Sequence, residues 1–351
     1  MENLISQIDS TLLDILHEER VRDVHHSSQN FVYEVIEKFV LGKGKRLRPL
    51  SILAFYKAAG GRMEQDNKYP KHILRIAACM ELVHDATLAF DDFMDEDEYR
   101  RNSKTIVKTF FDDFKTSNKT SQTATFLFET DCANYATSLA ILAGNILYSI
   151  ALRVCQEVSS DVLVKVMDLF IGLNYGQIID LNNITTLEDY NLNILFKTAI
   201  FFKTIASIGL TLAGRGNESI ELGNVWGEHF GLAFQMRDDL LDIDAHDKQR
   251  SVGSDLREGR KTIIVWTALE DGILESSDKT FVKEMIKLQS KALNDEVKFA
   301  RLINILQGTP AMKVKERILE HHKLATEALQ KLDLEQEMYE FIQKMTDLVL
   351  N

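Results

Sequence analysis

Three prolines in 351 residues (Pro49, Pro70 and Pro310) restrict this chain more than any other feature. Chains turn corners between short strands with proline and glycine. With so few prolines and only 17 glycines, a fold of many short strands is disfavoured and long helices are favoured. The apolar spacing agrees. Leu12, Ile15 and Leu16, and then Val32, Val35, Ile36, Phe39 and Val40, recur at three- and four-residue steps, which is one face of a helix. A glycine-basic break follows at 42–49, then a short helix to about Ala59 and a polar connection over 60–71. The helical period resumes from Ile73 to Phe93 and covers about 134–157, 161–181, 188–214, 219–243, 262–273 and 278–306. Pro310 interrupts it before a charged amphipathic tail of one or two helices, and Lys115–Gln122 is small, polar and loop-like. No fixed-period repeat and no Gly/Ser/Pro-rich linker divides the chain. The expectation is one all-α domain over 1–351, with long core helices.

Composition removes several function classes. Apolar residues make up 45% and charged ones 27%, so the chain is neither disordered nor a membrane bundle. A net charge of −12 argues against nucleic acid as a partner, because phosphate neutralisation needs a basic surface. Cys79, Cys132 and Cys155 are widely spaced and form no C-x-x-C. That pattern suits a reducing, cytoplasmic location better than a disulfide or zinc scaffold. The first twenty residues carry acids early and lack the basic-then-apolar order of a signal peptide. Asn134–Leu152 is uncharged over about a membrane-spanning length. It also contains Asn134, Thr137, Ser138, Gly144, Asn145 and Ser149, so it reads as a buried core helix of a soluble protein without a stable membrane anchor.

Two acidic clusters carry the chemistry. Asp91-Asp92-Phe93-Met94-Asp95 ends the apolar run 81–90, and Asp238-Asp239-Leu240-Leu241-Asp242 follows the segment 227–237. In each, the first and last acids are four apart and share one helix face. Like charges so placed repel, and a single acid run is equally a solvated face. Two such sets at the ends of apolar helices make sense as ligands of a hard divalent cation such as magnesium, which takes oxygen donors and shares them with substrate phosphates. Asp112-Asp113, beside the polar loop, reads only as a solvated pair. Cations that would accompany a diphosphate are also present: Gly42 to Pro49 includes Lys43, Lys45, Arg46 and Arg48. Arg100-Arg101 follows the first cluster, Lys197-Thr198 lies within an apolar segment where a charge needs a partner, and Arg260-Lys261-Thr262 comes later.

Together these residues resemble the trans-isoprenyl diphosphate synthase family over roughly Val35 to Trp266. The elements run in the family's order. They are Gly44-Lys45-Arg46-Leu47-Arg48-Pro49, the first motif with Arg100-Arg101, Gly176-Gln177-Ile178-Ile179-Asp180, Lys197-Thr198, and Phe234 to Asp242. The resemblance implies the helical bundle of the isoprenoid synthase type around a central cavity, with the C-terminal helices over about 278–351. It implies head-to-tail condensation of isopentenyl diphosphate with dimethylallyl, geranyl or farnesyl diphosphate, and a homodimer. Asp91, Asp92, Asp95, Asp238, Asp239 and Asp242 would hold about three magnesium ions. Arg100, Lys197, Thr198, Gln235 and Arg260 would contact the allylic diphosphate. Lys45, Arg48, His84 and Arg101 would bind isopentenyl diphosphate.

Some positions depart from the family pattern. Gly144-Asn145 stands where glycine-aspartate is usual, Arg250 replaces a lysine ahead of Gly253 and Asp255, and Arg260 replaces the lysine after Gly259. The stretch 115–131 is longer than in most relatives. Product length in the family depends on bulk beneath the first motif. Ala86 and Thr87 are small there, which disfavours a fifteen-carbon stop. Tyr148 could end the chain near twenty carbons or be ordinary core, with Met80, Cys79 and Asn174 as further floor candidates. The leading expectation is geranylgeranyl diphosphate, then a longer product. A non-catalytic partner subunit is disfavoured because all six acids are present. A class I terpene cyclase is disfavoured because its second metal motif differs.

Overall fold

The computed structural model describes residues 2–42, 44–100, 102–117, 130–182, 184–244, 252–257, 260–288 and 295–350. The chain divides into two compact units, Met1–Asp168 with Thr211–Gly214, and Leu169–Leu210 with Arg215–Asn351.

In the first unit, α1 (Glu2–Asp23) buries Ile8, Leu12, Ile15 and Leu16, a stripe at the helical repeat. It leads into α2 (Ser27–Val40) and α3 (Leu47–Ala58). Pro70 stands just before α4 (Lys71–Met94), where its missing N–H costs nothing. Ile76 to Ala86 of α4 are all buried, because neighbours surround that helix. The chain then makes a two-stranded hairpin, β1 (Tyr99–Arg100) and β2 (Ser103–Lys104), with Asn102 in the left-handed region. This hairpin is an addition to the all-α reading. Thr105 caps α5 (Ile106–Thr116) and Thr130 caps α6 (Asp131–Val158), each accepting a bond from a first-turn N–H. Most of 115–131 lies outside the described residues. Asp112 pairs with Lys104 and Lys108, the surface role anticipated for it.

α6 differs from the expected fully surrounded helix. Its small residues Ala136, Ala140, Ala143 and Gly144 are buried, and it packs extensively on α4. Ile141 and Leu142 remain exposed. A ridge of small residues allows close packing on one side only. Three described helical spans, Asp131–Val158, Ser160–Leu181 and Leu187–Leu212, are long and apolar enough to cross a membrane by length and composition.

The second unit includes most of α7 (Ser160–Leu181). The segment read as one helix over 188–214 is α8 (Leu187–Ile194), a π-helical turn at Leu195–Ala199, and α9 (Ile200–Leu212). A π turn admits one extra residue and leaves the apolar period nearly intact, so periodicity does not reveal it. α10 (Asn217–Asp242) carries Gly223, Gly227 and Gly231 on one face against 199–210. A Cβ on Gly227 would lie 2.4 Å from Lys203 backbone atoms, and one on Gly231 would lie 2.4 Å from Ala199 Cα. Only glycine permits that approach. α11 (Ser254–Arg257) and α12 (Ile263–Leu269) follow. The stretch 278–306 is two helices, α13 (Ser276–Leu288) and α14 (Glu296–Gln307), the second capped by Asp295. Pro310 sits in the first turn of α15 (Thr309–Lys331), which packs along α10, and α16 (Gln336–Thr346) closes the fold.

Candidate active site

Each acidic motif occupies the C-terminal end of its helix, α4 or α10. That is the negative end of the helix dipole, where carboxylates are unfavourable, so these acids are not there for helix stability. Within each motif the acids have different environments.

In the first unit, Asp92 is completely buried and its Oδ1 accepts a 2.6 Å bond from Arg100 Nε. The hairpin returns Arg100 to that position, and Asp97 lies 3.5 Å from the same guanidinium. Burial pushes the Asp92 carboxyl up to about 6, although Arg100 opposes the rise. Asp91 is half-buried, and Asp95, one turn later on the same face, is exposed. His84 is buried on α4, two turns before Asp91, and its carbonyl accepts Thr87 Oγ1 at 2.7 Å. Lys45 is exposed beside it in sequence to buried Arg46, while Arg48 is half-buried in the first turn of α3. Arg101 and Arg250 lie outside the described residues.

In the second unit hydrogen bonds join five sequence-predicted groups in two sets, a pair and a chain of three. Lys197 Nζ donates to Asp180 Oδ2 at 2.6 Å. Thr198 Oγ1 donates to Gln235 Oε1 at 2.9 Å, and Gln235 Nε2 donates to Asp239 Oδ1 at 2.9 Å. The π turn carries both Lys197 and Thr198. Gly176 of α7 makes its approach possible, since a Cβ there would meet Lys197 N at 2.8 Å. Asn193 Nδ2 also bonds the Gly176 carbonyl at 3.0 Å. Asp239 is buried, and its Oδ2 accepts Tyr190 Oη at 2.6 Å and Ile263 N at 3.0 Å. Burial raises its carboxyl to about 6, with these donors pulling the other way. Asp242 is buried too and accepts Ser254 Oγ at 2.5 Å and Asp255 N at 3.3 Å. It thereby fixes the turn at Gly253, whose φ is +70°. Asp238 is half-buried, and Arg260 is exposed, 3.9 Å from Asp255.

Three of the six acids (Asp92, Asp239, Asp242) are therefore bonded into the protein, and three (Asp91, Asp95, Asp238) are the more accessible. Among the described residues no three His, Cys, Asp or Glu side chains converge as a preformed metal site. The accessible donors are carboxylate oxygens, which suit magnesium completed by waters and substrate oxygens. Sequence reasoning missed Tyr190 and Ser254. Nothing local marks them, because Tyr190 meets its partner 49 positions away.

Of the residues considered for product length, Ala86, Met80 and Cys79 are fully buried on α4 and Thr87 is partly so. Tyr148 on α6 is half-buried, and burial pushes its phenol to about 12 with Cys155 nearby. Burial also raises the Cys79 thiol, with Cys155 adding to the rise. Asn174 is exposed and bonds the Phe170 carbonyl. Gly144 allows the Phe90 ring to pack against α6, and the divergent Asn145 is exposed.

Residues 29–305 match the sequence model of the polyprenyl synthetase family. A geranylgeranyl diphosphate synthase from Sulfolobus acidocaldarius is 28% identical over 316 residues, covering 86% of this chain and 84% of its own. A short chain isoprenyl diphosphate synthase from Methanothermobacter thermautotrophicus is 28% identical, covering 95% and 94%. Among solved structures, the geranylgeranyl pyrophosphate synthase of Corynebacterium glutamicum, complexed with isoprenyl diphosphate and magnesium, superposes with a TM-score of 0.81. Its identity is 23%, over 99% of this chain and 98% of that one. That likeness shows the all-α fold of prenyl synthases.

Proposed function

The chain belongs to the polyprenyl synthetase family, and from that premise we propose which of its residues carry the reaction and what it makes. The reaction class is head-to-tail prenyl transfer, so the chain is a trans-prenyltransferase. Its substrates are isopentenyl diphosphate and an allylic diphosphate (dimethylallyl, geranyl or farnesyl). One observation supports the site assignment above others: each motif pairs an accessible acid, Asp91 or Asp238, with a buried acid, Asp92 or Asp239, already bonded to a second predicted site residue.

Asp91, Asp95 and Asp238 would hold magnesium, about three ions by family likeness. Held by these carboxylates, magnesium would supply positive charge to neutralise the allylic diphosphate as a leaving group. Asp92 orients Arg100, and Asp239 orients Gln235 and through it Thr198. Asp242 holds the turn that leads to Arg260. Lys197, paired with Asp180 at 2.6 Å, is available to a diphosphate that outcompetes that carboxylate. Arg100, Gln235 and Thr198, held in place by the buried acids, are preorganised toward the leaving group's developing charge. Lys45, Arg48, His84 and Arg101 bind the isopentenyl diphosphate and hold its double bond toward the allylic carbon, a positioning task. No protein nucleophile is required.

The whole chain acts as one catalytic domain, working in the cytoplasm as a homodimer. An exposed apolar stripe on α7 (Val164, Met167, Ile171, Tyr175, Ile178) supports the last point. Small residues at 86 and 87 and the half-buried Tyr148 favour geranylgeranyl diphosphate. The test is to incubate the protein with magnesium, isopentenyl diphosphate and each allylic primer, and to size the products by mass spectrometry. Arrest at twenty carbons supports Tyr148 as the floor, whereas thirty carbons or more makes Tyr148 ordinary packing. No elongation from any primer by folded, magnesium-loaded protein rejects the reading.

A further inference from the structure

Between Lys45 and Arg48 lies Arg46, to which the resemblance assigns no role. Its backbone is left-handed, φ 48° and ψ 33°, a conformation that a long side chain adopts only when its surroundings impose it. The surroundings are visible. The guanidinium is 3% exposed, and four of its N–H directions are used on three elements. Nε donates to Asp9 Oδ1 of α1 at 2.8 Å and Nη1 to Glu81 Oε1 of α4 at 2.9 Å. Nη2 donates to the Val40 and Gly42 carbonyls, at 2.8 and 3.3 Å, where α2 ends. Carbonyls at a helix C-terminus lack helical partners, so the cation fills a place the backbone leaves open.

Two features tie this clamp to substrate binding rather than to the core alone. The turn at Arg46 separates neighbours by environment, with Lys45 exposed, Arg46 buried and Arg48 half-buried. Glu81 precedes His84 by three residues on α4, one helical turn away. Arg46 therefore joins the backbone that bears Lys45 and Arg48 to the helix that bears His84. The clamp also borders a cavity of about 480 Å³ shared with Arg100. We propose that Arg46 is a positioning residue for isopentenyl diphosphate, setting the spacing of Lys45 and Arg48 against His84 without touching the substrate.

This inference rests on the functional reading above, and its test separates the two. Isopentenyl diphosphate binding is measured by calorimetry, and KM for each substrate and kcat by steady-state assay. Three proteins are compared: wild type, Arg46→Lys and Asp9→Asn. Lysine keeps the charge but lacks the planar fork. Asp9 is an outlying partner, with a side chain 38% exposed, so its variant keeps the test open if Arg46→Lys folds poorly. The expected result is a loss of about tenfold in isopentenyl diphosphate affinity for Arg46→Lys and about threefold for Asp9→Asn. KM for that substrate should rise in parallel, and KM for the allylic substrate should move less than twofold. Folded variants whose isopentenyl diphosphate affinity matches wild type overturn the proposal, as do variants that weaken both substrates equally. Wild-type protein that binds no isopentenyl diphosphate overturns the functional reading and this inference with it.

Discussion

Asp238 and Asp239 are chain neighbours with opposite tasks, and the difference is measurable. Asp238 is only half-buried at the negative end of α10, so Asp238→Asn removes a charge that the helix dipole repels. Its expected phenotype is a fall in kcat of about a hundredfold or more, the scale for losing a group that stabilises developing charge, with Tm unchanged or slightly raised. Tyr190→Phe does the reverse. It deletes the 2.6 Å donor to a fully enclosed carboxylate, which costs about 1–3 kcal/mol when a buried group loses its partner. A denaturant titration should show that loss, and activity should fall because Asp239 no longer holds Gln235 as firmly. Equal stability of wild type and Tyr190→Phe would refute the assignment of Asp239 as an inward, orienting acid. The doubled aspartates were legible in the sequence. Which member of each pair turns inward was not, because the donors that decide it, Arg100, Tyr190 and Ile263 N, come from other elements.

At the scale of elements, α10 is fixed on two sides by different means. Toward 199–210 it uses the glycine face, so Gly227→Ala should be severely destabilising or insoluble. Backbone atoms, which cannot swing aside, lie 2.4 Å from the new Cβ. Gly216→Ala, with open space around it, should change Tm little. Toward α15 it uses a histidine pair. His229 Nδ1 lies 2.9 Å from His321 Nδ1, a contact that needs one ring to donate and the other, which must be neutral, to accept. Burial lowers both, His321 to about 4 with His229 and Arg317 adding to the fall and Glu228 opposing it. The unfolded chain, titrating near 6.5, then binds more protons than the folded one between about 6.5 and 4. The pair's contribution is present above that range and lost as pH falls through it. After allowing for solvent screening of half-buried rings, the loss is on the order of 1–2 kcal/mol. His321→Phe should flatten the pH dependence of Tm between pH 7 and 5, and an unchanged slope would remove the pair from the account. The helices themselves were readable because apolar period 3.6 is a local property. The π turn under Lys197 and Thr198 was not, since one extra residue hardly alters that period.

For the whole molecule, the apolar stripe on α7 is the feature with the largest consequence. Val164, Met167, Ile171, Tyr175 and Ile178 recur at three- and four-residue steps and are each 43–55% exposed. A chain of net charge −12 resists indiscriminate association, so this face suits one specific partner. A second copy of the chain is that partner in the reading offered above. Sedimentation should find a dimer for wild type and a monomer for Ile171→Glu, because burying an unpaired carboxylate at an interface is costly. A monomeric wild type would leave the stripe to another role.

The all-α class, the order of the basic, acidic and lysine-threonine elements, and the family they indicate follow from the sequence alone. Class and order depend on period, composition and spacing, which the linear chain carries in full, and the family rests on the likeness of those motifs to its own. Tertiary structure decided how those elements are used. It buried Asp92, Asp239 and Asp242 while leaving Asp91, Asp95 and Asp238 more accessible, and it placed Lys197 against Asp180. It also made Arg46, outwardly one more cation in a basic run, the buried member that holds the others. Burial and hydrogen bonding are settled by residues tens of positions apart, such as Asp9 and Glu81 around Arg46, and spacing along the chain does not contain that information.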